Sequence, residues 1–323
     1  MATLKEWTAG ARLRTLPMAV APVLIGATAV FGQPYTFGWF ESHGSPAMGT
    51  AIAQILVALL ALIVSLALQV GVNYANDYSD GIRGTDDDRV GPMRLTGSGA
   101  AEPRQVKAAA FGCFGVAGLA GLVIVALTGQ WWLIAAGAIC VLAAWWYTGG
   151  SKPYGYLGLG EVMVFVFFGL VATLGTSYAM VETAAARGVS VEFPLAEALI
   201  GAVSHGLIAS ALLMANNVRD IPTDRESGKM TLAVRLGQGR ARSSYALMVA
   251  VAVALPLGLV FQGPQSLWFL LVVISWPLCF RPIATMVRRP QLARGSELIP
   301  VLQQTGMIGL VFAATYSAAL LLS

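Results

Sequence analysis

Residues 51–80 read AIAQILVALLALIVSLALQVGVNYANDYSD, a stretch that joins an apolar run to an acidic end. The run from Ala51 to Val72 exceeds twenty residues, which is long enough for a helix to cross the hydrocarbon core of a bilayer. Polar side chains follow at spacings that place them on one helical face: Asn73, Asn76, Asp77 and Asp80. Because acidic groups are costly in lipid, this face predicts a cavity inside the protein.

The composition predicts an integral membrane protein. Of 323 residues, 57% are hydrophobic and only 11% are charged, whereas a soluble domain carries about 25% charged residues. The three cysteines fall inside apolar runs and there are only two histidines, so we expect neither a disulfide framework nor a histidine metal site. We expect the chain to lie in the lipid bilayer, and we expect no nucleic-acid partner.

Further apolar stretches predict one all-α membrane domain over residues 1–323, with about nine transmembrane helices bundled around a central cavity. A short basic segment, residues 1–14, is predicted to lie in the membrane interface. Pro277 is expected to kink or shorten the eighth span. The predicted spans are 15–32, 51–75, 105–128, 131–148, 157–180, 197–218, 243–262, 266–284 and 299–322.

The distribution of basic residues predicts an orientation. With nine spans and a cytoplasmic N-terminus, all but one of the 20 Lys and Arg residues fall on the cytoplasmic side, the exception being Arg187. Cytoplasmic loops of membrane proteins carry an excess of Lys and Arg. The charge pattern therefore favours a cytoplasmic N-terminus and an external C-terminus.

A second acidic motif resembles the first. The sixth span ends Asn216-Asn217-Val-Arg219-Asp220-Ile-Pro222-Thr-Asp224, beside Asn76-Asp77-Tyr-Ser-Asp80 at the end of the second. An even number of spans separates the two motifs, so both lie at the same membrane face and are predicted to converge on one cavity. Pro222 is expected to end the sixth helix and to leave Asp224 in a loop.

Converging carboxylates require cations. Oxygen ligands favour a hard metal such as Mg²⁺, which shares its coordination shell readily with phosphates. Basic residues beside both motifs would complement a phosphorylated ligand: Arg83, Arg89, Arg94, Lys152, Arg225 and Lys229. The alternative is that these residues form ordinary loop salt bridges with the acids, a reading that the doubling of the motif disfavours.

A glycine-rich link between the fourth and fifth spans adds further candidates. In Tyr147-Thr-Gly-Gly-Ser-Lys152-Pro, a hydroxyl and an ammonium could reach the same cavity mouth, and Glu161 begins the next helix. The alternative is an aromatic interfacial belt followed by a turn. His205 lies three turns below Asn216 and could line the cavity, but a hydrogen bond between packed helices is favoured.

Several motifs together resemble the UbiA superfamily of intramembrane aromatic prenyltransferases. They are the two acidic motifs and the Tyr147 to Pro153 link. Other stretches resemble one branch, the 1,4-dihydroxy-2-naphthoate polyprenyltransferases. These are Arg12-Leu-Arg14-Thr-Leu-Pro17, Gly81-Ile-Arg83-Gly-Thr-Asp86, Gly91-Pro-Met-Arg94-Leu, Gly158-Leu-Gly-Glu161 and Gly228-Lys229-Met-Thr231-Leu-Ala-Val-Arg235-Leu-Gly237. The resemblance spans residues 12 to about 240.

The resemblance implies a nine-helix bundle whose cavity opens sideways to lipid, and a set of site residues. Asp77, Asp80, Asp220 and Asp224 would hold Mg²⁺ through the diphosphate, assisted by Asn73, Asn76 and Asn217. Lys152, Arg83, Arg94 and Lys229 would contact the diphosphate or a carboxylate, and Tyr147 would face a cation or a phosphate oxygen. Gly84 stands where the superfamily usually has a third acid, so Asp86 is the candidate for that role.

The implied reaction is transfer of a polyprenyl group from polyprenyl diphosphate to 1,4-dihydroxy-2-naphthoate, with loss of its carboxylate, giving a demethylmenaquinone for menaquinone biosynthesis. The enzyme would lie in the cell membrane with its active site facing the cytoplasm. Alternatives are another aromatic acceptor, 4-hydroxybenzoate or homogentisate, and a membrane transporter. A transporter is disfavoured because the acids end helices at one face and do not cross the membrane centre.

Overall fold

A computed structural model describes residues 2–33, 45–83, 93–288 and 295–323. The candidate metal ligand Asp86, its neighbours Asp87 and Asp88, and Arg89 lie outside these residues. The described chain is helical and contains no strand, so the all-α class is confirmed.

Ten helices account for most of the described chain. The first two are short: α1 (Leu4–Gly10) and α2 (Pro17–Phe31). The others are α3 (Ser45–Gly81), α4 (Pro103–Thr128), α5 (Trp132–Trp146), α6 (Gly160–Ala185), α7 (Leu195–Glu226), α8 (Leu232–Gln262), α9 (Pro264–Val287) and α10 (Gly295–Leu322). Two single turns of 3₁₀ helix, Leu13–Thr15 and Tyr154–Leu157, carry residues of the site.

Each predicted span coincides with one of these helices. Seven helices, α3, α4 and α6 to α10, are long and apolar enough to cross a membrane. An eighth span arises if residues Leu4–Thr15 and helix α2, bent by 49° at the break between them, form one unit, and α5 is a shorter apolar helix. The chain is thus a multi-pass membrane protein, while the count of nine spans and the side of the N-terminus stay predictions.

Helix α7 is the central element of the bundle, because 67% of the residues in its apolar, membrane-spanning part are buried inside the protein. Close packing there depends on small residues, as is usual between membrane helices. A methyl group added at Gly169 of α6 would lie 2.6 Å from the Cα atom of Gly206 on α7, so the two backbones touch. His205 is fully buried, and its Nε2 lies 3.1 Å from the carbonyl oxygen of Met18 on α2. That contact is the helix-packing hydrogen bond favoured by the sequence.

Helix α7 corrects one expectation. It does not end at Pro222 but continues to Glu226, so Asp224 lies on the helix and not in a loop. A proline inside a helix removes one hydrogen bond of the ladder, and its ring crowds the carbonyl of the residue four positions before it. The last turn is held by other bonds, from Thr223 Oγ1 to the carbonyl of Asp220 and from the amide of Ser227 to the carbonyl of Thr223. Asp220 and Asp224 therefore stand one helical turn apart on one face.

Candidate active site

A large cavity of about 1410 Å³ opens within the bundle. Its polar end is lined by Arg12, Gln69, Asn73, Asn76, Arg94, Asn216 and Arg219. Its apolar part is lined by α4, α5 and α6, including Gly118, Gly121, Gly137 and Gly175. A methyl group added at any of these four glycines would meet no other atom within 4 Å, which indicates open space. The cavity therefore suits an amphiphile with a polar head and a long apolar tail.

The structure brings the two acidic motifs together through Lys229. Its Nζ lies 3.9 Å from Oδ2 of Asp80 on α3 and 3.9 Å from Oδ1 of Asp224 on α7. Arg94 approaches the same Asp80 oxygen at 3.7 Å. Both carboxylates are buried, and basic side chains offset the repulsion between them. This cluster of Asp80, Asp224, Lys229 and Arg94 is the charged centre of the site.

Tyr156 is a site residue that the sequence did not single out. Its hydroxyl donates a 2.6 Å hydrogen bond to Oδ1 of Asp80. Burial, and then the nearby Asp80 carboxylate, raise the pKa of this phenol, so it stays protonated and remains a donor. Lys229 and Arg83 lie over the ring at 5.0 and 5.4 Å from its centroid. Only the neighbouring Tyr147 to Lys152 link signalled this position in the sequence.

Asp77 binds backbone amides, whereas Asp80 faces basic side chains, although both belong to the first acidic motif. Its carboxylate accepts hydrogen bonds from the backbone amides of Leu95 and Thr96, at 2.7 and 2.8 Å. The side chain is fully buried. Asp77 thereby fixes the segment that carries Arg94, and the structure does not place it beside Asp224.

The predicted amide residues link neighbouring elements. Asn76 accepts a 2.7 Å hydrogen bond from the hydroxyl of Thr148 in the glycine-rich link. Asn217 donates to the buried carboxylate of Glu161 at 2.9 Å, which ties α7 to the start of α6. Asn73 donates to the carbonyl of Ala11 at 2.9 Å. Asn73 and Asn76 also line the cavity, so these two can contact a ligand from its wall.

Two arginine residues near the site, Arg219 and Arg83, have defined partners. Arg219 binds the carboxylate of Asp220 through two nitrogens, at 2.6 and 2.7 Å, and also lines the cavity. Arg83 donates to the carbonyls of Thr148 and Gly150. Arg83 thus fastens the glycine-rich link to the end of α3, and Asp220 orients Arg219.

The two candidates in the glycine-rich link are placed differently. Tyr147 lies in the cavity wall, with its ring centroid 5.6 Å from that of Tyr154. Lys152 is exposed and does not line the cavity. The structure therefore brings Tyr147 to the polar end, whereas it leaves Lys152 outside.

The carboxylates of the site fit a metal ion that is bound partly by the protein and partly by the substrate. Within the described ranges, no three His, Cys, Asp or Glu side chains form a cluster that could hold a metal ion by themselves. Asp80 and Asp224 instead lie on either side of the Lys229 ammonium group, each with a carboxylate oxygen 3.9 Å from its nitrogen. A pair of carboxylates suits a hard divalent ion that completes its shell with phosphate oxygens and water.

A buried cluster of carboxylates and basic groups adjoins an apolar cavity through Arg94, inside a helical membrane bundle. This arrangement defines an intramembrane enzyme for a lipid with an anionic head. The chain belongs to the UbiA prenyltransferase family, whose sequence profile matches residues 19–302. It is therefore a membrane-embedded prenyltransferase.

Relatives of known name are similar over nearly the whole chain. The 1,4-dihydroxy-2-naphthoate octaprenyltransferase of Mycobacterium tuberculosis is 48% identical over 320 residues, 99% of this chain and 98% of its own. The enzyme of the same name from Escherichia coli is 36% identical and covers 90% of each chain.

Solved structures share the fold. A UbiA homologue from Archaeoglobus fulgidus, bound to DMAPP and Mg²⁺, aligns with a TM-score of 0.56 at 16% identity, covering 98% of this chain and 99% of its own. The apo structure of a UbiA homologue from Aeropyrum pernix aligns with a TM-score of 0.63 at 13% identity, covering 98% of both chains. At these identities the likeness concerns the fold.

Proposed function

We propose that this enzyme transfers a polyprenyl group from polyprenyl diphosphate to 1,4-dihydroxy-2-naphthoate in menaquinone biosynthesis. The observation that carries the proposal is the charged centre, in which Asp80 and Asp224 flank Lys229. Arg94 connects this centre to the wall of a long apolar cavity. The name shared by the relatives from Mycobacterium tuberculosis and Escherichia coli supports the naphthoate as acceptor.

Asp80 and Asp224 are the residues that would hold Mg²⁺, with Asp220 supporting them from the same face of α7. When bound, the metal would neutralise charge that develops on the departing diphosphate. Lys229 and Arg94 lie 3.9 and 3.7 Å from Asp80 and would bind the diphosphate oxygens that share the metal with that carboxylate. Tyr156 holds the Asp80 carboxylate in position through its 2.6 Å hydrogen bond.

The apolar cavity surrounds the allylic carbon at which the proposed reaction takes place. The allylic C–O bond breaks with its electron pair on the diphosphate, and a ring carbon of the acceptor forms the new C–C bond. The carboxylate leaves as CO₂, and a proton from the ring takes its place, which gives the quinol form of a demethylmenaquinone. Apolar walls exclude the water that would otherwise quench the allylic cation.

The proposed location follows from charge. We place the enzyme in the cell membrane, as a single domain, with its N-terminus and the polar end of its cavity facing the cytoplasm. The support is the sequence distribution of Lys and Arg, of which all but Arg187 fall on that side if there are nine spans.

Membranes containing the enzyme test the proposal directly. Polyprenyl diphosphate, 1,4-dihydroxy-2-naphthoate and Mg²⁺ are expected to yield a prenylated, decarboxylated product, and EDTA to abolish it because the two carboxylates lack their cation. Mass spectrometry of the lipid extract identifies acceptor and tail length together. Product from 4-hydroxybenzoate or homogentisate in place of the naphthoate would contradict the acceptor, and turnover that persists in EDTA would contradict the metal.

Replacement of two lysines distinguishes the proposed diphosphate contacts. Lys229→Ala is expected to raise the KM for polyprenyl diphosphate by about tenfold or more, because a charged hydrogen-bond donor to the phosphate is lost. The exposed Lys152 is the comparison. Because Lys152 is exposed and does not line the cavity, Lys152→Ala should leave this KM unchanged, whereas a raised KM would return Lys152 to the diphosphate contacts. A wild-type KM in Lys229→Ala would remove Lys229 from the site.

A further inference from the structure

We propose that the hydroxyl groups of Tyr156 and Thr231 set the metal selectivity of this enzyme. Each hydroxyl binds one oxygen of an acid in the charged centre and leaves the other oxygen to face the cation, which favours Mg²⁺ over the larger Ca²⁺. The inference deepens the proposed function and rests on its assignment of Asp80 and Asp224 to the metal. Both hydroxyls come from segments outside the two acidic motifs, the turn Tyr154–Leu157 and the start of α8.

The two oxygens of Asp80 have different partners. Its Oδ1 atom accepts the 2.6 Å hydrogen bond from the Tyr156 hydroxyl. Its Oδ2 atom faces the basic groups instead, 3.7 Å from Arg94 and 3.9 Å from Lys229. A short hydrogen bond to a charged acceptor is a strong one, so a metal ion would reach Oδ1 only by displacing the hydroxyl. A cation therefore meets Asp80 on the side of Oδ2.

Asp224 repeats this division on α7. Its Oδ2 atom accepts a longer hydrogen bond, 3.4 Å, from the Thr231 hydroxyl, and its Oδ1 atom faces Lys229 at 3.9 Å. Thr231 is also the N-cap of α8, and its hydroxyl oxygen accepts a 3.4 Å hydrogen bond from the amide of Val234. Because that oxygen is occupied as an acceptor, its proton is directed to Asp224. Each acid thus turns one oxygen to the shared ammonium group and the other to a hydroxyl.

The ring of Tyr156 keeps its hydroxyl at Asp80. The Lys229 nitrogen and the Arg83 guanidinium lie 5.0 and 5.4 Å from the ring centroid, and both cations are attracted to its face. The backbone is fixed as well, because the amide of Tyr156 donates to the carbonyl of Pro153 at 3.0 Å. These contacts do not involve the hydroxyl, so the ring should keep its place when the hydroxyl is removed.

Mg²⁺ and Ca²⁺ differ in what they require of a carboxylate. Mg²⁺ is small, keeps several waters, and is bound in proteins by one or two carboxylates together with phosphates of the substrate. Ca²⁺ takes about six to eight oxygen ligands at longer distances and often uses both oxygens of a carboxylate. Two acids that each offer one oxygen, together with a diphosphate, suit Mg²⁺ and leave Ca²⁺ short of ligands.

Tyr156→Phe is the sharpest test, because it frees Oδ1 of Asp80 and retains the ring. The measurement is the thermal transition of the detergent-solubilised protein, titrated with Mg²⁺ or Ca²⁺ in the presence of farnesyl thiodiphosphate, an analogue that resists cleavage. We expect wild type to bind Mg²⁺ at least about tenfold more tightly than Ca²⁺, and Tyr156→Phe to lower this ratio by about tenfold, since Ca²⁺ alone gains from the freed oxygen. Tyr74→Phe is the matched control and should keep the wild-type ratio, because the Tyr74 hydroxyl donates to the carbonyl of Trp7.

Thr231 supplies a second, independent pair of variants. Thr231→Val should lower the ratio of Mg²⁺ to Ca²⁺ affinity in the same direction but by less, because its hydrogen bond to Asp224 is longer. Thr231→Ser keeps the hydroxyl and the N-cap and should keep the wild-type ratio.

Equal affinity of wild type for the two ions would overturn the inference. So would a wild-type ratio in folded Tyr156→Phe, and if that variant does not fold, the same result in Thr231→Val decides. A wild-type transition that responds to neither ion would overturn both the inference and the metal assignment of the proposed function, whereas the loss of selectivity alone leaves that assignment intact.

Discussion

Asp80→Asn is expected to lower the rate of prenyl transfer by about 1,000-fold, the upper range for removing one preorganised electrostatic group. Asparagine has the shape of aspartate and can still accept the hydrogen bond from Tyr156. What it lacks is the negative charge that Lys229, Arg94 and the metal require. Protein should therefore accumulate in the membrane at the wild-type level, while turnover is lost.

The measurement is initial rate of product formation in membranes, divided by the amount of enzyme. Glu226→Gln is the matched control, since it removes an exposed carboxylate from the end of α7, next to the same site. It should keep the wild-type rate. Wild-type-like transfer by Asp80→Asn would remove the metal assignment from the first acidic motif.

Asp77→Ala is expected to have its effect on stability. It removes the acceptor of two backbone amides, those of Leu95 and Thr96. Leu95 is fully buried, so its amide has no access to water in compensation. Hydrogen bonds to a charged group contribute about 1.5–3 kcal/mol each, so we expect a loss of about 3–6 kcal/mol in the free energy of unfolding.

Thermal unfolding of the detergent-solubilised protein measures this loss, with Asp80→Asn as the comparison because it also removes one carboxylate from the same motif. The transition temperature should fall further in Asp77→Ala than in Asp80→Asn, because asparagine keeps the hydrogen bond from Tyr156 whereas alanine leaves two backbone amides without an acceptor. If Asp77→Ala kept the wild-type transition temperature but its rate of product formation no longer depended on Mg²⁺, Asp77 would again be a candidate metal ligand.

These two neighbouring acids illustrate what sequence reasoning could reach. Their spacing on α3 predicted that both face a cavity, and the second acidic motif on α7 was predicted to converge on the same cavity. The structure brings Asp80 and Asp224 to the same lysine. Which of the acids in each motif faces the charged centre depends on partners that are distant in the sequence, such as the amides of residues 95 and 96 for Asp77.

Sequence by itself determined the helical class, the position of the apolar spans and the two acidic motifs, because hydrophobic length and helical periodicity are local properties of the chain. Tertiary structure decided the rest. Tyr156 reaches Asp80 across 76 positions of sequence, and Asn73 of α3 holds the carbonyl of Ala11 from more than 50 residues away. Helix α7 continues past Pro222, and hydrogen bonds from the Thr223 hydroxyl and the Ser227 amide close its last turn. Contacts of this kind depend on packing between elements that are remote in the chain, and no local pattern records them.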